Sequence, residues 1–157
     1  MKLSDFVVPE AVIADLQSAD RNGVIRELIV TLASVGALNE EDVEAVARAA
    51  IHRENQGSTG FGKGVAVPHV KHTKISRIMA AIGRSSDGVD FVALDRAPVY
   101  TIVMLLSPLD SPDGHLQAME TIFKHLQQDS FRRFLRQSET TEAILDLIRE
   151  ADETSGE

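Results

Sequence analysis

The run Val99-Tyr100-Thr101-Ile102-Val103-Met104-Leu105-Leu106 constrains the fold more than any other stretch. Its residue types suit a strand, and its apolar residues scarcely alternate with polar ones. A strand of that composition is buried on both faces, which requires helices packed on either side of its sheet. The expectation is an α/β sandwich. Pro98 ahead of the run and the stretch from Ser107 to Pro112 behind it mark its loops.

The remaining elements follow from periodicity. Val24, Leu28, Leu32 and Val35 share one helical face, widened by Ile25 and Ile29. They predict a helix over Gly23 to Val35, capped by Asp20 or Asn22 and stopped at Gly36. Asn39 with Asp42 three residues later has the form of a capping box and opens a second helix ending near Glu54. Val12 to Leu16 is expected as a first strand, with Pro9 limiting any helix before it. Ile78 to Gly83 is expected as another strand, closed by a turn over Ser85 to Gly88. Ser111-Pro112 starts a helix running to about Gln127. A short helix over Phe131 to Arg136 and a last one from Thr141 to about Glu150 complete the chain. The 157 residues suit one domain over 1–151, with 152–157 expected as a frayed tail.

Composition narrows the function classes. A formal charge of −8, from 24 acidic and 16 basic residues, weighs against a duplex-binding surface. With aromatic residues at only 4%, stacking platforms for single strands are scarce, so no nucleic-acid partner is expected. The absence of cysteine removes disulfides, thiol catalysis and thiolate metal sites. No apolar run reaches transmembrane length and the first residues do not form a signal peptide, so the expected setting is cytoplasmic, without membrane insertion.

The chemistry concentrates between Gly57 and His69. Gly57-Ser58-Thr59-Gly60-Phe61-Gly62-Lys63-Gly64 places four glycines in eight positions. Such density permits tight turns and close backbone approaches. Val65-Ala66-Val67 then reads as a short buried strand, and Pro68 ends it with His69 delivered behind. Lys63, Lys71 and His72 stand around His69 in sequence. A zinc-type site built on His69 and His72 needs a third ligand from afar, and no His-Glu-x-x-His spacing is present. Ser58 lacks the strand–nucleophile–helix setting of a hydrolase, and the loop lacks the Gly-Lys-Ser/Thr ending of a P-loop. A phosphorylated histidine fits better. Phosphoryl transfer needs a nucleophilic ring nitrogen, donors for the phosphoryl oxygens and nearby positive charge. His69 supplies the first and Arg53, at the end of the second helix, a guanidinium. His115 supplies a second imidazole near a helix N-terminus, and Thr59 a hydroxyl to orient His69 or touch a phosphoryl oxygen.

The loop followed by Val65-Ala66-Val67-Pro68-His69 closely resembles the fructose/mannitol-type (type-2) EIIA domain of the bacterial phosphoenolpyruvate-dependent sugar phosphotransferase system. Arg53-Glu54, Val89-Asp90-Phe91 and His115-Leu116 match it too, so the resemblance spans nearly the whole chain. It implies a mixed β-sheet flanked by helices. It implies that His69 takes a phosphoryl group from a histidine carrier protein (HPr-like) and passes it on, with Arg53 and His115 in the same site and no metal or organic cofactor needed. The acceptor is a IIB component in sugar import, or a regulatory target in the nitrogen-related branch. This chain resembles that branch in length and in lacking attached IIB or IIC domains. Such a protein is a phosphocarrier more than a free-standing enzyme. A third reading is a binding module that is not phosphorylated. Lys63 and Val70-Lys71-His72 depart from the residues usual in the family, which alters the rim that partners meet.

Overall fold

The computed structural model describes residues 1–93 and 95–155. Six strands form one mixed sheet in the order β1-β5-β6-β3-β2, with β4 also paired to β6. The strands are β1 (Val7–Ile13), β2 (Gly60–Gly62), β3 (Val65–Ala66), β4 (His69–His72), β5 (Met79–Val89) and β6 (Val99–Pro108). The helices are α1 (Arg21–Ser34), α2 (Val43–Asn55), α3 (Pro112–Leu126), α4 (Asp129–Gln137) and α5 (Thr141–Ser155). The expected α/β sandwich with a mixed, helix-flanked sheet is the observed architecture.

Strand β6 explains why. Ile102, Met104 and Leu106 point into a core shared with α1 and α2, while Val103 and Leu105 point into a second core shared with α3, α4 and α5. The period-2 alternation of a strand converts one uninterrupted apolar run into the middle of two cores. β5 repeats the pattern, with Met79 and Ala81 on one side and Ala80 and Ile82 on the other. β5 and β6 pair antiparallel from Met79 with Leu106 to Arg84 with Thr101. On its other edge β6 pairs parallel with β3 and then with β4, so two short strands share one long template.

Several boundaries differ from the sequence reading. The first strand lies at Val7–Ile13 instead of Val12 to Leu16, and Pro9 sits within it. This is an edge strand with a break in register between Val7 and Val12, the setting in which a sheet tolerates proline. The expected turn over Ser85 to Gly88 is absorbed into β5 as an irregularity between Arg84 and Val89. There Ser85 Oγ accepts from Gly88 N, so the turn chemistry bends a strand without ending it. Asp20 caps α1 through Gly23 N, as its position suggests. The Asn39 side chain makes no capping bond, and a 3₁₀ turn over Glu40–Asp42 leads into α2 instead.

The C-terminal segment departs most. α5 continues to Ser155, and Asp152, expected in a frayed tail, is buried. Its carboxylate accepts from Leu3 N at 2.8 Å and Ser4 N at 3.0 Å, tying the N-terminal 3₁₀ turn to the last helix. Gly156 and Glu157, in the same expected tail, lie outside the described residues. We expect Asp152→Ala to lower stability by about 2 kcal/mol, because two backbone donors lose a charged acceptor. Urea unfolding measures this, and a change below about 0.5 kcal/mol, the surface-substitution level, would fit a loose tail instead.

Candidate functional site

β2 and β3 form a hairpin whose turn residues Lys63 and Gly64 both have positive φ, 61° and 77°. That turn geometry suits right-twisted strands and explains the glycine there. Gly60 has a second reason: a Cβ at this position would stand 2.9 Å from the Ala93 Cβ. The tight glycine-rich loop expected from the sequence is thus a hairpin packed closely on its neighbours.

After Val67 and Pro68 the chain enters β4, which the sequence reading missed. The missing signal is plain, since His69-Val70-Lys71-His72 is mostly polar and becomes a strand through its parallel ladder with Leu105 to Pro108 of β6. His69 therefore begins a strand instead of trailing one. His69 Nδ1 lies 2.8 Å from the Val67 carbonyl oxygen. A carbonyl only accepts, so Nδ1 carries the proton and Nε2 keeps its lone pair. This is the nitrogen able to act as a nucleophile.

His115, four residues into α3, faces His69 with ring centroids 5.6 Å apart. It is buried, at 9% exposure, and its Nδ1 meets Ser107 Oγ at 2.7 Å. Ser107 projects from β6 toward α3, on the face of Val103 and Leu105. Where that hydroxyl donates to Nδ1, the His115 proton resides on Nε2 and can be given to an anion. The sequence reading took Ser107 as loop and did not find this partner; only its alternation with Val103 and Leu105 pointed inward.

The other expected residues divide. Arg53, at the end of α2, donates from NH1 to the Gly57 carbonyl at 2.8 Å, which fixes the guanidinium beside the hairpin. Its charge is felt at His69. Thr59 has a different task from the one expected. Its hydroxyl and its N–H both go to the carboxylate of Glu54, which is only 2% exposed. Thr59 in turn accepts from Val67 N through its own carbonyl, at 3.3 Å. Glu54 and Thr59 therefore brace the segment whose Val67 carbonyl orients His69. Ser58 is held in a local turn, accepting from Gly60 N and donating to the Phe91 carbonyl. His72 points to the opposite face of β4 from His69, as neighbours of unlike parity must, and Lys74 N donates to its Nδ1. Among the described residues no three His, Asp or Glu side chains converge as a metal-ligand set.

Both site histidines are neutral at physiological pH. Burial pushes His69 below its ordinary 6.5, reinforced by Arg53 and Lys71 and opposed by the Val67 hydrogen bond and Glu54. Burial, then the neighbouring His69 and Lys71, lower His115 to about 4. Lys71, exposed on β4 and paired with Ser107, supplies positive charge to both rings. The arrangement offers a bare imidazole nitrogen in a positive surround, suited to an incoming phosphoryl group.

A model of the family described as "Phosphoenolpyruvate-dependent sugar phosphotransferase system, EIIA 2" matches residues 5–151. The chain belongs to this family. It is a phosphoryl-carrier domain of the EIIA type, distinct from a free-standing enzyme. The nitrogen regulatory protein of Bradyrhizobium diazoefficiens is 31% identical over 148 residues, which cover 94% of this chain and 95% of that protein. The fructose-specific EIIABC component of Bacillus subtilis is 32% identical over 152 residues, or 97% of this chain but 24% of that longer protein. Among solved structures, nitrogen regulatory protein IIA-Ntr of Neisseria meningitidis superposes with a TM-score of 0.81 at 26% identity, covering 92% of this chain and 97% of that one. IIA mannitol of Escherichia coli shares the fold, with a TM-score of 0.75 at 19% identity. EIIA domains of this family work with HPr- and IIB-type partners, and no described helix is long and apolar enough to cross a membrane.

The depressed histidines make stability depend on pH. The unfolded chain protonates them near 6.5, whereas folded His115 holds out to about 4. The His115 contribution to stability is therefore complete above about 6.5 and falls as pH drops toward 4, by up to ~1.4 kcal/mol per unit, and His69 acts in the same direction. His125, buried between α3 and α4 against Phe131, is lowered in the same direction by burial. Unfolding midpoints at pH 7 and pH 4.5 should converge in His115→Gln relative to wild type. An equal acid loss in the variant would contradict the assignment.

Proposed function

We propose that His69 is the phosphoryl acceptor of this carrier domain, and that the protein serves a nitrogen-linked regulatory phosphotransferase chain in the cytoplasm. One observation carries the first part: the Val67 carbonyl holds the Nδ1 proton and leaves Nε2 bare beside His115. In the transfer, Nε2 forms a bond to phosphorus while the N–P bond of a phosphorylated, HPr-like histidine carrier protein breaks and that carrier recovers its lone pair. His69 keeps its Nδ1 proton throughout. Arg53 and Lys71 offset the charge of the phosphoryl group, and His115 donates a hydrogen bond to it. Glu54 and Thr59 hold the segment that aims the ring, and the Glu54 charge also opposes the fall in the His69 pKa. The regulatory assignment is supported by likeness to nitrogen regulatory proteins in both sequence and structure.

Incubation with phosphoenolpyruvate, enzyme I and the carrier should add one phosphoryl group, mapped by mass spectrometry to His69. His69→Ala should accept none, and His115→Ala should accept about 100-fold more slowly, the loss typical of one donor to a developing anion. Because the His69 pKa is lowered, acceptance should fall less between pH 8 and pH 6.5 than protonation of an ordinary imidazole would require. Phosphoryl acceptance by His69→Ala would defeat the proposal. The 32% identity to a fructose-specific component favours one other reading, a sugar-specific EIIA acting on a separate IIB. Rapid phosphoryl transfer onto a fructose-type IIB would establish it; a phosphorylated protein inert toward IIB supports the regulatory one.

A further inference from the structure

We propose that the cavity between the β2–β3 turn and α4 is a second anion site, built for a small phosphate monoester or inorganic phosphate. The cavity, about 320 Å³, is lined by Lys63, Asp95, Tyr100, Thr101, Arg132 and Arg136 among others. It lies at the end of β6 away from His69. His69 pairs with Leu105, four residues beyond Thr101, so the separation along the strand is about 13 Å.

Charge is the first argument. Three cationic side chains and one carboxylate line a cavity in a chain of net charge −8. The carboxylate is already committed: Asp95 accepts from Lys63 N and Ala97 N with its two oxygens. Arg132 is held rigidly, its side chain 11% exposed, donating to the Leu126 carbonyl and to Asp129. Arg136 sits over the Tyr100 ring, its guanidinium carbon 3.6 Å from the centroid. A stacked guanidinium keeps its N–H edge free for a planar or tetrahedral anion. Arg136 and Lys63 supply the donors that phosphate groups favour, beside an Arg132 fixed by Leu126 and Asp129.

Backbone geometry is the second, independent argument. Lys63 stands at φ 61°, a left-handed position that asparagine or glycine occupies more easily. A lysine there lines the cavity at a conformational cost, and strained backbone positions of this kind gather at functional sites. The turn is also well anchored, since the Gly64 carbonyl accepts from both Tyr100 N and Thr101 N. The pocket favours a small ligand over a protein segment because it is a cavity of about 320 Å³ whose cationic lining comes from two elements.

The proposal does not depend on His69 being phosphorylated, and the test separates the two. Glycerol 3-phosphate and inorganic phosphate are titrated into ¹⁵N-labelled His69→Ala protein at constant ionic strength, with NaCl as control. Saturable shifts at the amides of Lys63, Gly64, Thr101 and Arg136 are expected from one or both probes. Lys63→Asn, which suits the turn, and Arg136→Gln should each weaken binding at least 10-fold while leaving the remaining spectrum folded. Unsaturable shifts, shifts confined to Arg53 and the start of α3, or unchanged affinity in both variants would overturn the site. Equal response to both probes assigns it to phosphate as such, and preference for the ester assigns it to a phosphorylated metabolite.

Discussion

The ladders of β6 hold the molecule together and place its chemistry. One edge carries β5 in a long antiparallel ladder; the other carries β3 and then β4 in succession, both parallel. Pro68, which cannot donate to a ladder, separates the two short strands, while its carbonyl accepts from Leu105 N. The interruption leaves the Val67 carbonyl free of the ladder to receive the His69 ring. The same strand presents Ser107 two residues beyond Leu105, where it meets His115 from α3. Strand pairing thus sets both imidazoles at once. A register slip of one residue would turn Ser107 and Leu105 to the wrong core.

The electrostatics follow from that placement. Two neutral imidazoles sit tilted against each other in a half-buried site, with Arg53 and Lys71 adding positive charge around them. Burial and the cations act in the same direction, keeping protons off the rings. A phosphoryl anion reverses the balance, since the cations that oppose a proton favour a phosphate. Glu54 is the counterweight. Its charge is buried but answered by Thr59 N–H and O–H, so it stiffens the hairpin while remaining partnered.

Much of this was legible from residue order. The apolar run of β6 announced two cores, the periodicities of α1, α2 and α3 announced the layers, and the glycine run with Pro68-His69 announced the site. The losses have common physical causes. β4 was invisible because its polar residues are strand only by virtue of a partner distant in sequence. The Ser85 to Gly88 turn was misplaced because a strong neighbouring ladder converts turn residues into a bulge. Asp152 reads from the sequence as part of a frayed tail because its partners, Leu3 and Ser4, are at the other end of the chain. Thr59 was given a catalytic task because Glu54, five residues back on a helix, cannot be seen from sequence to turn inward.

The account rests on which nitrogen of His69 carries the proton. Long-range ¹H–¹⁵N correlation of the imidazole at pH 7.5, assigned through loss of its signals in His69→Gln, reads this directly. The predicted spectrum shows His69 neutral, with a protonated Nδ1 and a bare Nε2. A ring protonated on Nε2, or carrying both protons at this pH, would contradict the orientation that Val67 is held to impose.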